Sequence, residues 1–374
     1  MSRLLILCEY PTLLGGERSM LATLPAIRAA GFDVHVAAPA AGTLADALRR
    51  EGVSHIPWRV HSADGARLPL ERLRADIAGL LRQVQPDLVH ANSLSMSRIA
   101  GPVVAQHRIA SIGHLRDIVT LSRQAIDDVN AHRRLIAVSH ATRDYHVAQG
   151  IDADRCVVAY NGVDRDEFRP RPPSGYLHQK LGLPPAAPLI ATIGQLGARK
   201  GVDVVLLAAL QIAAKLPDAH WLIVGERTSD KDEAHDYEFR LQATSHAPPL
   251  SGRVHFLGTR SDVPRLLNEC ALLVHGARQE PLGRVLLEAA ASRVAVVATD
   301  VGGTREIFPT ELDGAILVPP DDDRALAAAM QALLQDQGRR EALAQAARRR
   351  AENAFDVRRA AQRLIEYYHA VLSR

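Results

Sequence analysis

Apolar residues in this chain fall in short unbroken runs, separated by longer stretches where they recur every three or four positions. The runs RLLILC (3–8), DVHVAA (33–38), DLVHAN (87–92), IASIGHL (109–115) and RLIAVSH (134–140) are too apolar to leave one face in water. Such runs predict strands covered on both faces, as in a parallel sheet. The stretch 68–84 sets its arginines on one side, the pattern of a helix lying on that sheet. Strand alternating with helix predicts a doubly wound α/β unit.

The alternation stops at 165–187, RDEFRPRPPSGYLHQKLGLPPAA, where proline and polar residues predict a linker. It restarts with PLIATIG (188–194), HWLIVGE (220–226), VHFLG (254–258), ALLVHG (271–276), VAVVATD (294–300) and AILVPP (315–320). Helical patterns fill 201–215, 234–245, 283–292 and 323–336, and 338–374 reads as helical throughout. The expected organisation is a first Rossmann-like domain over 1–165, a linker over 166–187, a second over 188–353, and a C-terminal helix, 354–374, packing back on the first domain.

Composition narrows the class. Hydrophobic residues make up 47% and charged residues 23%, which is globular. Lys and Arg (45) barely exceed Asp and Glu (42), and the arginines are scattered, which argues against a dedicated nucleic-acid binder. Arg67, Arg72, Arg74, Arg82, Arg133 and Arg134 suit a solvated helix surface, with a peripheral contact to an anionic membrane as the alternative. Three distant cysteines without metal-like spacing read as reduced, buried thiols. The apolar N-terminal run is too short for a signal peptide, and no stretch reaches the roughly 18 apolar residues of a membrane span, so a cytoplasmic protein is expected.

Three segments carry candidate chemistry. YPTLLGGERSM (10–20) follows the first strand; Gly15 and Gly16 read either as a turn needing φ > 0 or as a backbone approach to a ligand. IGQLGARKGVD (193–203) places Arg199 and Lys200 near a helix start, where cations oppose the helix dipole and call for an anion; the alternative is a solvated pair. RQEPLGRVLLEAAA (278–291) sets Glu280 and Glu288 around a predicted helix start, where the amides of Gly283, Arg284 and Val285 would act as anion donors. The plainer reading is a surface Arg284–Glu288 pair and a loop carboxylate at Glu280. Neither glycine turn spells the dinucleotide fingerprint G-x-G-x-x-G, which argues against an NAD-dependent oxidoreductase.

Taken together, the segments GGERS, PDLVHANS, LIAVSHATRD, YNGVDRDEFRP, GQLGARKGVD, VHFLGTRSDVPRLL, EPLGRVLLEAAA and DVGGTREI resemble, in order and over almost the whole chain, the retaining GT-B glycosyltransferases of family 4. The resemblance implies two Rossmann-like doubly wound sheets facing a cleft, with a nucleotide-diphosphate sugar held mainly by the second domain. It assigns Lys200 to the diphosphate with the amides of Gly283, Arg284 and Val285, Glu288 to the ribose, and Glu280 to the donor sugar. Gly15 and Gly16 would approach the diphosphate, Thr259 and Arg260 the base, and His114, in IGHLRDI, the sugar. Gln195 stands where the family commonly has an arginine; Arg199 is the candidate substitute. Lys200, Glu280 and His114 are the catalytic candidates. No cofactor and no required metal are expected, since no D-x-D signature lies in a plausible loop and no His/Cys cluster has metal-like spacing. The acceptor, whether polysaccharide end, lipid-linked sugar or small molecule, is not legible. A nucleotide-sugar epimerase or hydrolase, or a non-catalytic nucleotide-sugar binder, are the competing readings.

Overall fold

The computed structural model describes residues 1–62 and 64–373, and these divide into two units, Met1–Gly162 with Val357–Arg374, and Val163–Asp356. The first carries seven strands: β1 (Ser2–Leu7), β2 (Phe32–Ala38), β3 (Ser54–Pro57), β4 (Leu88–Ala91), β5 (Ala110–Leu115), β6 (Arg134–Ala137) and β7 (Cys156–Val158). They are parallel, in the order β3-β2-β1-β4-β5-β6-β7. Side chains of β1 alternate between two cores, as a strand buried on both faces requires. Leu4 and Ile6 pack with Leu24 and Ile27 of the helix Gly15–Ala29 and with Leu364 and Tyr368 of the helix Val357–Leu372. Leu5 and Leu7 pack on the other face with Leu73 and Ile77 of the helix Leu70–Val84.

The second unit contains β8 (Leu189–Ile193), β9 (His220–Val224), β10 (Val254–Phe256), β11 (Leu272–His275), β12 (Ala295–Thr299) and β13 (Ala315–Val318), in the order β10-β9-β8-β11-β12-β13. All pairs are again parallel. In both sheets the strand order reverses beside the first strand of the unit, between β1 and β4 and between β8 and β11. Loops splay apart at such a switch point, leaving room for a ligand beyond the carboxyl ends of the strands.

Each strand expected from an apolar run is present. Two further strands, β3 and β7, escape the pattern because SHIP is half polar and CVV is only three residues long. The segment 166–187 is not a free linker: it belongs to the second unit and contains the helix Tyr176–Leu181. Glu269 accepts hydrogen bonds from the Ser174 and Gly175 amides, and the Arg265 guanidinium lies 3.8 Å from the centre of the Tyr176 ring. Long-range contacts with 262–269 therefore override the local proline content. The C-terminal stretch is two helices, Gln337–Ala354 and Val357–Leu372, broken at Phe355 and Asp356. Cys8 and Cys156 are buried as expected, whereas Cys270 is partly exposed. Among the described residues no helix is long and apolar enough to cross a membrane.

Candidate functional site

The second unit gathers its chemistry at the β8/β11 switch point. After β8 the chain makes a short turn of 3-10 helix, Ala198–Lys200, then Gly201 at φ +60°, then the helix Val202–Ile212. Gly201 is forced by the partner backbone: a Cβ there would lie 1.8 Å from the carbonyl oxygen of Gly276, just beyond β11. Arg278 completes the junction, its amide donating to the Arg199 carbonyl at 2.9 Å and its guanidinium to Asp203 at 2.7 and 3.0 Å. The loops after β8 and β11 are thus tied together, and Lys200 is delivered to Glu280.

Lys200 Nζ donates to Glu280 Oε2 at 2.5 Å, and His275 Nε2, at the end of β11, donates to the same oxygen at 2.8 Å. Glu280 is 6% exposed and His275 2%. Burial pushes the Glu280 carboxyl up, but Lys200 and His275 outweigh it and hold the group well below the usual carboxylate range. Burial lowers His275, against the opposing pull of Glu280. Lys200 is thus neither solvated nor unpaired: its counterion in the structure is Glu280. Gly302 (φ +52°) holds Glu280 from behind, since a Cβ there would sit 2.0 Å from the Glu280 carbonyl oxygen, and the Gly303 amide donates to that same oxygen at 3.0 Å.

Gly283, at φ +102°, turns the chain into the helix Arg284–Ala291. Arg284 Nε donates to Glu288 Oε1 at 2.6 Å, with the two side chains only 15% and 10% exposed. The i,i+4 pair exists, but it is a buried pair rather than a surface one. Val285 stands in the first turn of this helix. The remaining candidates are placed less directly. Arg199 Nη1 donates to the Gln279 carbonyl at 3.2 Å. Gln195 is half-buried on the loop after β8. The Thr259 amide is bound by Glu226, and Arg260 is held by Asp262 at 2.8 and 2.6 Å, so both are engaged locally.

In the first unit, Gly15 and Gly16 open the helix Gly15–Ala29, and neither has a positive φ. The turn reading is corrected there: the glycines are helical, and only Gly16 is crowded, its Cβ position 3.1 Å from Arg116 Cδ. Arg116 donates to the Asn92 carbonyl and side chain, both at 2.8 Å, and to Asn161 Oδ1 at 2.9 Å. Burial lowers its pKa to about 10, with Glu17 the largest opposing influence. His114, near the end of β5, is 4% exposed, and its Nδ1 lies 3.1 Å from Nε2 of His90 on β4. His90 Nδ1 in turn lies 2.7 Å from the Tyr368 hydroxyl.

Sequence reasoning assigned no role to His275, Gly201, Gly302, Arg278, His90, Asn92 or Tyr368. His275 had one usable signal: it ends an apolar strand at the sheet edge where sites gather. Among the described residues no group of three metal-ligating side chains occurs.

Two family models match the chain: Glycosyltransferase Family 4 over residues 14–167 and Glycosyl transferases group 1 over 176–350. Alpha-maltose-1-phosphate synthase of Mycobacterium tuberculosis is 29% identical over 255 residues, 65% of this chain and 64% of the relative. D-inositol 3-phosphate glycosyltransferase of Xylanimonas cellulosilytica is 34% identical over 226 residues, 59% of this chain and 52% of the relative. The chain thus spans between half and two thirds of the length of these relatives. The fold matches Anabaena HepE, solved with UDP-glucose, at TM-score 0.87 and 24% identity over 99% of this chain and 100% of that one. It also matches the sucrose-phosphate synthase of Thermosynechococcus elongatus, at TM-score 0.81 and 19% identity over 100% of both chains.

Proposed function

The chain belongs to the glycosyltransferases of group 1 and family 4, and we propose that it transfers a sugar from a uridine diphosphate sugar to an acceptor hydroxyl, with retention of configuration. The observation that carries this reading is the buried Lys200–Glu280–His275 cluster at the β8/β11 switch point. A pyrophosphate arriving at Lys200 finds an ammonium already only partly exposed and beside a buried carboxylate, where charges interact more strongly than in open water. Lys200 then shares its three protons between the phosphate and Glu280. Glu280 keeps its charge throughout, because His275 continues to donate to it, and so accepts hydrogen bonds from sugar hydroxyls.

The Gly283 turn aims the amides at the start of the helix Arg284–Ala291 toward the same anion, which the helix dipole favours. Glu288, oriented by Arg284, accepts from ribose hydroxyls. As the bond to the leaving diphosphate stretches, the growing charge falls on Lys200 and those amides, and magnesium independence is the expected outcome. The acceptor hydroxyl attacks on the face the diphosphate leaves, and the phosphate takes its proton. His114 is kept as the first unit's candidate hydrogen-bond donor to a sugar hydroxyl.

Thermal unfolding with UDP-, GDP- and ADP-glucose, each with and without magnesium, tests the donor site. At 100 times its dissociation constant the right ligand stabilises the fold by about 2.7 kcal/mol. UDP-glucose gives the largest shift, unchanged by magnesium, and Lys200→Ala and Glu288→Ala each remove it in protein that circular dichroism shows to be folded. Wild-type affinity for UDP-glucose in both variants would rule the site out. Binding without sugar transfer across a broad acceptor panel would leave a nucleotide-sugar binder.

A further inference from the structure

Beneath the helix Gly15–Ala29 the first unit contains a cavity of about 30 Å³, lined among others by Asn92, His114, Arg116, Ser19 and Tyr368. It has room for about one water molecule. Three side chains lead to it in single file: Tyr368 from the helix Val357–Leu372, His90 from β4 and His114 from β5. The two imidazoles lie nearly parallel, 14° apart with centroids 5.3 Å apart. At the far end, His114 Nε2 is buried with no hydrogen-bond partner.

We propose that Tyr368 and His90 are positioning residues that hold His114 in a single tautomer, with its proton on Nε2, so that it presents a fixed hydrogen-bond donor to a ligand oxygen. The direction of the chain follows from donor and acceptor inventories. Tyr368 is 0% exposed, and its hydroxyl meets His90 Nδ1. A phenol O–H is a better donor than an imidazole N–H, and a phenol oxygen a poorer acceptor than an imidazole nitrogen. Tyr368 therefore donates, His90 accepts at Nδ1, and the His90 proton resides on Nε2. That proton is donated to His114 Nδ1, which leaves the His114 proton on Nε2.

Both rings stay neutral at physiological pH. Burial, reinforced by the nearby Arg116 cation, lowers His90 to about 3 and His114 well below its ordinary value. Neutrality matters, because a protonated ring would donate from both nitrogens and break the chain. Nε2 of His114 has no protein partner, and the cavity that His114 lines has room for one water, so the atom is left to a water or to a ligand oxygen. The functional half of the inference rests on the reading of His114 as a sugar-facing group; the tautomer assignment does not.

Nitrogen-15 histidine spectra of the full chain, assigned with His90→Gln and His114→Gln, test the tautomer directly. The expected result is both rings neutral and protonated on Nε2, unchanged down to pH 5. Tyr368→Phe keeps the ring and its edge contact with Phe32 but removes the hydroxyl. In that variant His114 becomes a mixture of tautomers. Affinity for UDP-glucose falls about tenfold while affinity for UDP is unaltered, the size of one charge-free hydrogen bond to the sugar. A His114 proton found on Nδ1 in the wild type overturns the proposal, as does a Tyr368→Phe protein with unchanged spectra and UDP-glucose affinity. Wild-type UDP-glucose affinity in His114→Ala would instead overturn the sugar-facing reading, leaving the tautomer to be decided by the spectra.

Discussion

At the switch point of the second sheet a buried carboxylate meets an ammonium; in the first unit the file of side chains that ends at His114 is made of neutral rings. Lys200 and Glu280 meet at 2.5 Å with His275 sharing the carboxylate oxygen. Tyr368, His90 and His114 form a file of hydrogen bonds, beside a guanidinium held by Asn92 and Asn161. The difference matches what each region would bind on the proposed function. A pyrophosphate needs a full positive charge, and a buried charge needs a counterion until the ligand comes. A hydroxyl-rich sugar needs oriented dipoles, which neutral imidazoles provide without a counterion. The ionic region is thus stable only as a pair, whereas the neutral region loses little more than orientation when one member is removed.

The largest effect should come from splitting the ion pair. Lys200→Met leaves Glu280 charged, buried and supported by His275 alone, and removing one partner of a buried pair costs about 3–5 kcal/mol. The deficit depends on pH. In the wild type, the folded Glu280 carboxyl titrates below its unfolded value, so its stabilisation is present above the unfolded value and is lost as pH falls through the folded one. Without Lys200, burial has less to oppose it and the folded value rises. The gap between variant and wild type is therefore widest near neutrality and narrows as the carboxyl protonates. Urea titrations at several pH values measure it, and a pH-independent gap under 1 kcal/mol would place the two regions on the same footing.

A smaller effect tests whether backbone contact, rather than charge, assembles the ionic region. Gly201→Ala would set a Cβ 1.8 Å from the Gly276 carbonyl oxygen at a φ of +60°. The loops must separate, at a cost of about 1–3 kcal/mol. Gly197→Ala, in the same loop but with open space around the Cβ position, is the control and should change stability by less than about 0.5 kcal/mol. Equal losses in the two variants would show that the loop junction is not what delivers Lys200 to Glu280.

These residues also show where sequence reading reaches its end. The strands were legible because burial on both faces leaves an unbroken apolar signature, as in LLIL of β1. Lys200 was legible as a charge at the wrong end of a helix, but its pairing with Glu280 was not, because the two lie 80 residues apart. Glycines 201 and 302 were not, because the atoms that forbid a side chain belong to Gly276 and Glu280, far off in the chain. The same is true of Tyr368, 278 residues from the histidine it serves. Its helix reads as amphipathic, and nothing local separates a packing tyrosine from one whose hydroxyl sets a tautomer.

The smallest predicted effect is the most discriminating for the neutral region. The fold makes no demand on Gly15: it begins a helix, its φ is not positive, and a Cβ there meets nothing within 4 Å. Alanine at such a site restricts the unfolded chain and should be neutral or stabilising by up to about 0.5 kcal/mol. Gly16→Ala presses on Arg116 Cδ at 3.1 Å and should cost less than about 1 kcal/mol, since that side chain has only to give slightly. If glycine is kept at 15 for a ligand, Gly15→Ala will unfold like the wild type yet lose its UDP-glucose shift. A variant that keeps both would show that ligand binding makes no demand for glycine at 15.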